Sequence, residues 1–417
     1  MIKNSDRRNV LIIHQHFCPP GNYGNNRSYE IAKNLVASGH NITVLTGSGN
    51  FSVQPSALFS SQYIDGIKID CIRVPYNHHM SYLKRICSFL LFFISASILI
   101  FRYKKTIDII YAISTPISVG VLGIWYRKIF QKPFLFEVGD LWPDVPIQMG
   151  IIKNKFLIRI LYKIESRIYS SSSHIVLLSE GMREYMKQKN IPTDKYSVLY
   201  NGTNIQQFSP APDKSLLRHR YNIPDEKFIV LYAGTIGVAN GLEFFVEAAY
   251  QIQLSGDKKI KFYFIGSGNR LTAIKKHVLE KNVSNIIFIE SMQKDAVIDY
   301  FKLADVGIVS FAPFKILDTN SANKYYDYLA SGLPVVINYD GWQKNILEQT
   351  CSGFSALSPA AATELLIELR LNTSLYQQMS ANARLLAEKQ YDRHAIAEQL
   401  SRLILQHSSS AAYNRKV

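Results

Sequence analysis

The chain has 417 residues, 47 of them Lys or Arg and 32 Asp or Glu, which gives a formal net charge of +15. This length predicts two domains of roughly 200 residues each, and a hydrophobic share of 47% excludes a disordered chain. The basic excess favours an anionic membrane or a phosphorylated substrate as partner. Nucleic acid is disfavoured, because no zinc-ligand spacing, RNP-like strand or helix-turn-helix pattern occurs.

Short apolar runs alternate with helical stretches along most of the sequence. In the first half these runs are Val10–His14, Asn41–Thr46, Ile67–Val74, Asp108–Ala112, Phe134–Val138, His174–Leu178 and Ser197–Tyr200. In the second half they are Phe228–Ala233, Lys261–Ile265, Asn285–Ile289, Val306–Phe311 and Val335–Asn338. Because such runs are rich in Val, Ile and Phe, they predict parallel sheets covered on both faces. Two series of them predict two doubly wound α/β domains.

The first predicted strand leads into a glycine-containing loop. His16 follows the strand, and Gly21 and Gly24 lie before a helix that begins near Arg27. Glycines at this position let the backbone approach a ligand, so the loop is a candidate phosphate or acceptor site, with a simple turn as the alternative. The spacing is not G-x-G-x-x-G and no acidic residue closes the second strand, which disfavours NAD.

Ile86–Phe101 is the most hydrophobic segment, with 16 uncharged residues between basic flanks. It is shorter than the roughly 20 residues that span a bilayer. A buried core helix, a re-entrant helix and an interfacial helix are the alternatives. The basic flanks favour contact with an anionic lipid surface.

Three carboxylates lie at the end of the run Phe134–Val138 or just after it: Glu137, Asp140 and Asp144. Ligands of open α/β sheets bind at the carboxyl ends of the strands. Glu137 and Asp140 are therefore candidates for binding sugar hydroxyls or acting as a base, with solvated loop acids as the alternative. No His accompanies them at ligand spacing, so no metal site is expected.

A turn-rich segment marks the predicted domain boundary. Thr203–Asp225 holds three prolines and one short basic helix, and the alternation of strands pauses there. We therefore predict an N-terminal domain of residues 1–205 and a C-terminal domain of residues 206–390. Residues 391–417 are expected to form a helix that packs back on the first domain, followed by a frayed tail.

Two strand-to-glycine turns open the C-terminal domain. Gly234 and Gly237 follow a strand and precede a helix, as in a loop that lets the backbone approach a phosphate. Arg270 follows a second turn of this kind, where it can reach a diphosphate or lie on the surface. Lone glycine turns are weak signals, but several at strand ends of one domain strengthen the phosphate-site interpretation.

Asn320–Asn338 combines a helix start with a charge and a tight turn into a strand. A helix N-terminus offers unpaired N–H groups and a positive dipole end, which suits a phosphate. Lys324 adds a positive charge, and Asp327, about one turn later, can accept hydrogen bonds from a ribose. The segment indicates a nucleotide-sugar site, with an ordinary αβ unit as the alternative.

These residues together resemble the retaining nucleotide-sugar glycosyltransferases of family 4, which have the GT-B architecture. The segments that carry the resemblance are Gly21–Glu30, Glu137–Pro143, Tyr232–Glu247, Ala304–Gly307 and Asn323–Val336. The sequences GDLWPD and YAGTIGVANGLE are similar to the branch that includes N-acetyl-fucosaminyl transferases of surface-polysaccharide assembly. The resemblance implies two Rossmann-like domains facing a central cleft.

The family has two Glu separated by seven residues. The second aligns with Asp327 and implies ribose recognition, whereas the first falls at Thr319, with Asp318 beside it. A Lys that the family often places before a glycine of the donor domain is Asn240 here. The resemblance therefore puts the positive charge for the donor phosphates on Lys324.

The resemblance also implies how the substrates divide between the domains. Donor contacts are expected in the C-terminal domain from Gly234, Gly237, Arg270, Lys324 and Asp327. Acceptor contacts are expected in the N-terminal domain from Gly21, Gly24, His16 and Thr115, and catalytic contacts from Glu137 and Asp140. Retention of anomeric configuration is implied, with no cofactor and no essential metal.

The implied function is transfer of a sugar to a saccharide linked to an isoprenoid diphosphate, in O-antigen or capsule assembly. Cysteines without CxxC spacing and a polar start without a secretory signal predict a cytoplasmic protein, held peripherally at the inner membrane surface through Ile86–Phe101. A nucleotide-sugar epimerase of the same fold is one alternative. A non-catalytic membrane-bound binding module is another, motivated by the missing acid at Thr319.

Overall fold

The computed structural model describes residues 7–22, 27–51, 55, 57–76, 80, 82–104, 106–292 and 294–408. The chain divides into two compact units. The N-terminal unit is Met1–Tyr200 with His394–Val417, and the C-terminal unit is Asn201–Arg393.

Backbone pairing explains why these bounds differ from the predicted 205 and 390. The N–H of Thr203 donates to the carbonyl of Tyr391 at 2.9 Å, and the N–H of Arg393 donates to the carbonyl of Thr203 at 3.0 Å. These two bonds fix the segment after Tyr200 to the C-terminal unit. The predicted frayed tail falls on residues 409–417, outside the described residues.

The described strands and helices have the following bounds. The strands are β1 Asn9–Ile13, β2 Asn41–Gly47, β3 Phe59–Ile64, β4 Ile67–Ile72, β5 Ile109–Ile113, β6 Phe134–Val138, β7 His174–Leu177, β8 Tyr196–Val198, β9 Phe228–Ala233, β10 Ile260–Ile265, β11 Ile286–Ile289, β12 Val306–Val309, β13 Val335–Ile337 and β14 Gly353–Ser355. The helices are α1 Arg27–Ala37, α2 Tyr82–Leu99, α3 Ser118–Phe130, α4 Asp144–Gln148, α5 Lys155–Ser171, α6 Glu180–Gln188, α7 Lys214–Arg220, α8 Glu243–Leu254, α9 Leu271–Glu280, α10 Lys294–Leu303, α11 Asn323–Ala330, α12 Trp342–Thr350, α13 Pro359–Leu371, α14 Thr373–Gln390 and α15 Arg393–Ser408.

The N-terminal unit is built on one sheet, whose described strands have the order β3-β4-β2-β1-β5-β6-β7-β8. Pairing is parallel from β4 to β8, whereas β3 runs antiparallel to β4. The sequence predicted only parallel pairs and missed β3. The reason is composition: β3 reads FSSQYI and lies at the sheet edge with half of its residues exposed, so it lacks the buried apolar run that identifies a parallel strand.

One face of this sheet is covered by α1 and α15. Side chains alternate between the two faces along a strand, and Ile12 of β1 shares a core with Leu35 of α1 and Leu400 of α15. A hydrogen bond of 2.8 Å between His40 Nε2 and Ser401 Oγ lies beside this core. The last helix therefore belongs to the N-terminal unit by packing.

The opposite face of the sheet is covered by α2, α3 and α5, with α3 in contact with both neighbours. Glycines on α3 make the packing close. A Cβ at Gly123 would lie 2.6 Å from Phe134 Cδ2 of the sheet, and one at Gly120 would lie 2.7 Å from Ile168 Cδ1 of α5. Real Cβ contacts are longer than this, so α3 reaches the sheet and α5 only because these positions lack a side chain.

The hydrophobic segment forms α2 and is only partly buried. Ser88, Phe92 and Ala96 are buried, and their spacing of four places them on one face of the helix. Leu83–Tyr103 is long and apolar enough to cross a membrane by length and composition alone, and 24% of it is buried. The alternative of a fully buried core helix is therefore wrong.

The C-terminal unit has a second sheet, with the described strands in the order β11-β10-β9-β12-β13-β14 and parallel pairing throughout. Helices α8 and α13 pack on each other in its core, where Phe245 and Leu366 are fully buried. The sequence missed β14, which has three residues, of which Phe354 and Ser355 are only half-buried. Because all six strands run the same way, their carboxyl ends share one edge, where ligands of such sheets bind.

Candidate functional site

Lys324 presents an unusual cation at this edge of the C-terminal unit. It is the second residue of α11, whose first turn has no side-chain cap, so backbone N–H groups there lack the usual acceptor. Its Nζ lies 3.6 Å from the centroid of the Tyr232 ring. Burial lowers the pKa of Lys324 to about 7. No carboxylate in the described part of the chain forms an ion pair with this amine, which is therefore available to an anion.

The space that the Lys324 amine occupies depends on two glycines, Gly234 and Gly266. A Cβ at Gly234 would lie 2.9 Å from Lys324 Nζ, and Gly234 also has a φ of +143°, which L side chains rarely adopt. A Cβ at Gly266 would lie 1.9 Å from the carbonyl oxygen of Gly234. The loops after β9 and β10 therefore pack backbone against backbone, which leaves the end of β9 open to the Lys324 amine. The structure thus brings the predicted residues Gly234 and Lys324 together.

The turn Gly237–Gly241, which follows β9, is stabilised by the side chain of one of its own residues. Gly237 N–H donates to Asn240 Oδ1 at 3.3 Å, and Gly241, with a φ of +52°, leads into α8. A Cβ at Gly241 would lie 2.7 Å from Ala312 Cα, so the turn packs against the segment after β12. Asn240, at the position where the family often has Lys, acts as a structural residue of this turn.

Arg270 lies near this turn, but it already has a partner. Its Nη2 and Nε donate to Glu243 Oε1 at 2.6 and 3.1 Å, and both side chains are more than a third exposed. Glu243 is in the first turn of α8, where the helix dipole also favours its negative charge. The sequence predicts that Arg270 reaches a diphosphate or lies on the surface. The structure adds a partner, Glu243, which neutralises much of its charge.

Asp327 is one turn beyond Lys324 and is mostly enclosed. Only 8% of the residue is exposed, and Thr203 Oγ1 donates to its Oδ1 at 2.6 Å. This bond holds the carboxylate against the segment after Tyr200. One carboxylate oxygen is therefore engaged within the C-terminal unit.

Thr319 stands where the family has an acidic residue, and its side chain bonds within its own turn. Thr319 Oγ1 donates to the carbonyl of Ile316 at 2.7 Å. The neighbouring Asp318 pairs with Lys315 at 2.9 Å, and burial raises its pKa. Asp318 thus supplies a carboxylate beside position 319, but one that is paired within the same turn.

Both carboxylate oxygens of Glu137 are bound by other side chains of the N-terminal unit. It is 2% exposed, Arg27 Nη1 donates to its Oε1 at 2.5 Å, and the hydroxyl of Tyr111 donates to its Oε2. Both oxygens are therefore occupied by a buried cation and a buried phenol. This corrects the expectation of a catalytic or sugar-binding Glu137 and favours a structural role: it holds Arg27, the first residue of α1, against the sheet.

Asp140 keeps the character of a candidate functional acid. It follows β6, and Thr115, which follows the neighbouring β5, donates from Oγ1 to its Oδ2 at 3.1 Å. Burial raises the pKa of Asp140, and the hydrogen bond from Thr115 opposes this shift. The structure brings these two predicted residues together at the carboxyl ends of adjacent strands, where a raised pKa is typical of functional acids.

The loop after β1 holds a histidine pair of which the sequence analysis singled out only one. His14 Nδ1 lies 2.9 Å from Ser28 Oγ, and burial with the nearby His16 and Arg27 lowers the pKa of His14 to about 3. The ring of His16 packs 4.4 Å from Tyr76, centroid to centroid. His14 follows the last residue of β1, and this position was the signal that could have identified it.

Of the two glycines predicted to contact the acceptor, Gly21 is among the described residues and Gly24 is not. Gly21 has a φ of +75° and open space around its Cα, so a side chain there would be strained by the backbone alone. Gly24 lies in 23–26, outside the described residues. In the ranges that are described, no group of three or more His, Cys, Asp or Glu side chains is placed to hold a metal ion.

Family models match both units. Residues 24–207 match the model for Glycosyltransferase Family 4, and residues 213–386 match the model for Glycosyl transferases group 1. With two Rossmann-like parallel-sheet units, the chain is a glycosyltransferase of the GT-B fold. The predicted fold class is confirmed.

Curated relatives cover different shares of the chain. The probable glycosyltransferase WbjE of Pseudomonas aeruginosa is 26% identical over 150 residues, which is 36% of this chain and 37% of that protein. The alpha-monoglucosyldiacylglycerol synthase of Acholeplasma laidlawii is 22% identical over 311 residues, which is 72% of this chain and 76% of that protein.

Solved structures of low identity share the fold over nearly the whole chain. Sucrose-phosphate synthase from Thermosynechococcus elongatus has a TM-score of 0.76 at 16% identity and covers 96% of this chain and 99% of its own. Anabaena HepE in complex with UDP-glucose has a TM-score of 0.72 at 16% identity and covers 96% of this chain and 100% of its own.

Proposed function

We propose that this glycosyltransferase moves a hexosyl or N-acetylhexosaminyl group from a nucleotide-sugar donor to a saccharide linked to an isoprenoid diphosphate. The anomeric configuration is retained and no metal is essential. The acceptor belongs to surface-polysaccharide assembly, as O-antigen or capsule, in the branch of N-acetyl-fucosaminyl transferases. The enzyme works at the cytoplasmic face of the cell membrane, held peripherally by Ile86–Phe101.

The observation that carries the proposal is the Lys324 amine without a carboxylate partner at the end of β9. A cation that is held in a partly buried place, beside a helix N-terminus, is matched to a phosphate group. Breaking the bond between sugar and diphosphate puts negative charge on the leaving oxygen. Lys324 and the N–H groups of α11 then stabilise that charge electrostatically.

The donor also contacts residues around this amine. Asp327 accepts hydrogen bonds from the ribose through the oxygen that Thr203 does not bind. Gly234 and Gly237 let the diphosphate approach the backbone. Arg270 contributes when its pair with Glu243 exchanges for phosphate.

The acceptor binds the N-terminal unit in this proposal. Asp140, oriented by Thr115, accepts a hydrogen bond from the hydroxyl of the acceptor or of the donor sugar. The acceptor also contacts the loop after β1, which contains His16 and Gly21. Glu137 contributes by holding Arg27 and does not contact substrate.

The relatives support parts of this proposal. HepE was solved with UDP-glucose, which supports a nucleotide-sugar donor. The relative from Acholeplasma laidlawii is named for a glucosylated diacylglycerol, which supports a lipid acceptor. WaaG, another structural neighbour, is described as involved in lipopolysaccharide biosynthesis, which supports the surface-polysaccharide role.

Incubation with labelled nucleotide sugars and bacterial membrane extract tests the proposal. We expect label in the lipid fraction and release of nucleotide only when membranes are present. Conversion of the free donor to another sugar nucleotide without an acceptor would instead indicate an epimerase. Donor binding without release of nucleotide would indicate a binding module.

A further inference from the structure

The outer face of α2 is an uninterrupted row of exposed apolar side chains. Their spacing of three and four residues places them on one side of the helix, and each is between 50% and 76% exposed. The row consists of Leu83, Ile86, Leu90, Ile94 and Ile98 on α2, and Phe101 in the 3-10 turn Ile100–Tyr103 continues it. The inner side of α2 holds the buried Phe92 and Ala96, so α2 lies along the sheet with one apolar side inward and the other outward.

Helix α5 carries a row of basic residues that the sequence analysis did not single out. Lys155, Arg159, Lys163 and Arg167 recur every four residues and are all exposed. Beside this row, Phe156, Leu157 and Ile160 are 71%, 43% and 37% exposed. A basic row next to an apolar row on one helix is typical of segments that lie in an anionic membrane interface.

Helix α3 lies between α2 and α5 and continues the same surface. The ring of Trp125 lies 5.6 Å from Phe93 of α2, and Gly120 packs against Ile168 of α5. Trp125 and Ile129 are 43% and 49% exposed. The outer sides of α2, α3 and α5 are therefore neighbours in one layer, which we call the three-helix face.

This face contains no exposed carboxylate. Glu165 is the single acidic residue in the sequences of α2, α3 and α5. It is 2% exposed and pairs with Lys189. The exposed charges of these helices are thus all positive, which is complementary to an anionic lipid surface and repels basic partners.

We propose that the three-helix face is the membrane-docking surface, with α5 supplying electrostatic attraction to anionic phospholipid headgroups and α2 and α3 supplying the apolar contact. The inference rests on the proposed membrane attachment and deepens it, because that attachment assigned binding only to Ile86–Phe101 and its basic flanks. Because Phe92 and Ala96 pack inward, α2 lies in the plane of the interface rather than across the bilayer. Trp125, which is 43% exposed on this face, belongs to a residue type that is enriched at membrane–water interfaces.

Sedimentation of the full chain with lipid vesicles tests the role of α5. Each Lys or Arg near an anionic surface contributes on the order of one kcal/mol, so Arg159→Gln with Lys163→Gln should weaken binding roughly thirtyfold. This loss is expected on phosphatidylcholine vesicles that contain phosphatidylglycerol and not on phosphatidylcholine alone. The matched control, Lys275→Gln with Lys276→Gln, removes two exposed charges from α9 of the C-terminal unit and should change binding little.

A double variant tests the apolar row. Ile94→Ser with Ile98→Ser changes only exposed side chains, so Tm should stay constant while vesicle binding falls on both lipid mixtures.

A fluorescent label tests whether α2 enters the interface. An environment-sensitive dye is attached to the exposed Cys87 in a variant with Cys351→Ser, since Cys18 and Cys71 are buried. Its emission should shift to shorter wavelength when the protein binds vesicles.

Several results would overturn the proposal. Equal losses from the α5 pair and the α9 control would show that only net charge matters. A dye signal unchanged by vesicles would place α2 outside the interface. A dimer in solution that Ile94→Ser with Ile98→Ser converts to a monomer would show that a second copy covers the row. No donor or acceptor is present in these assays, so failure here leaves glycosyl transfer untouched.

Discussion

The Nζ of Lys324 lies 3.6 Å from the centroid of the Tyr232 ring. A cation over an aromatic face is attracted by the ring quadrupole, but the ring removes less of the burial cost than a carboxylate would. Burial therefore still lowers the pKa of Lys324 to about 7. The amine is poised to gain full charge when an anion reaches it, which is the basis of the first two predictions.

Replacing Lys324 with Met should separate donor binding from stability. Because a charged hydrogen bond contributes about 1.5–3 kcal/mol, Lys324→Met should weaken donor binding on the order of 10- to 100-fold. The same variant should raise Tm at pH 7, because it removes an amine whose charged form is disfavoured in the folded state. Calorimetric titration with the donor chosen by a thermal-shift screen, together with thermal melts, measures both effects.

Lys276→Met is the matched control, because Lys276 is exposed on α9. It should leave donor affinity unchanged and shift Tm little. Unchanged donor affinity in Lys324→Met would count against the assignment of this amine to the diphosphate.

Donor affinity should depend on pH through Lys324. The diphosphate of an intact nucleotide sugar stays fully ionised above pH 5, so the protein dominates the pH dependence. Below about pH 7 the amine is charged before the donor arrives, and the dissociation constant should be flat. Above pH 7 binding must take up a proton, so affinity should fall by up to about tenfold per pH unit. Titration from pH 6 to pH 9 checks this, and Lys324→Met should abolish the dependence.

The contribution of Lys324 to the free energy of unfolding should rise with pH above 7, whereas donor affinity falls. The pKa of Lys324 is lower in the folded state than its ordinary value of 10.5. The unfolded chain therefore binds more protons between these values, so the contribution of this residue to the free energy of unfolding rises from pH 7 towards pH 10. Comparing wild type with Lys324→Met isolates this contribution.

The buried pair between Arg27 and Glu137 should matter for stability rather than for chemistry. Glu137→Gln leaves the Arg27 charge unpaired, which should cost about 3–5 kcal/mol in the free energy of unfolding. Urea unfolding measures this cost. The exposed pair Lys33–Asp65 provides the control, since Lys33→Ala should cost at most about 1 kcal/mol.

A double variant distinguishes the two roles of Glu137. Arg27→Met with Glu137→Leu removes both charges and should recover much of the lost stability. Full stability with lost transfer in Glu137→Gln would instead return Glu137 to the catalytic group.

Asp140 should be needed for transfer and not for folding. If it accepts a proton, Asp140→Asn should lower kcat by about 10²–10⁴-fold while Tm changes little. The activity of a general base is lost as pH falls through its pKa. Thr115→Val removes the hydrogen bond that opposes the raised pKa, so the acid limb of kcat/KM should move to higher pH. A limb that does not move would contradict the role of Thr115.

Much of the fold could be predicted from apolar runs alone. Phe134–Val138 and Phe228–Ala233 match the observed strands residue for residue, because central parallel strands are covered on both faces and therefore consist mostly of apolar residues. A search for apolar runs missed β3, because an edge strand needs no apolar run. The boundary after Tyr200 depends on the backbone hydrogen bonds of Thr203 with Tyr391 and Arg393, which local sequence does not reveal.

The site was predicted less completely, because sequence shows residue types but not their partners. Lys324 and Gly234 were predicted from motifs local to a helix start and a strand end, and the structure places them side by side. Glu137 was misjudged because Arg27, 110 positions earlier, neutralises it. The ion pair of Arg270 with Glu243 could not be predicted for the same reason.

Transfer of labelled sugar from the screened donor into membrane lipid, by wild type and by Lys324→Met at equal protein concentration, tests the central claim most directly. We predict label in the lipid fraction with wild type, nucleotide released in equal amount, and loss of both with Lys324→Met. No lipid label and no nucleotide release from any common donor, or full transfer by Lys324→Met, would contradict the account.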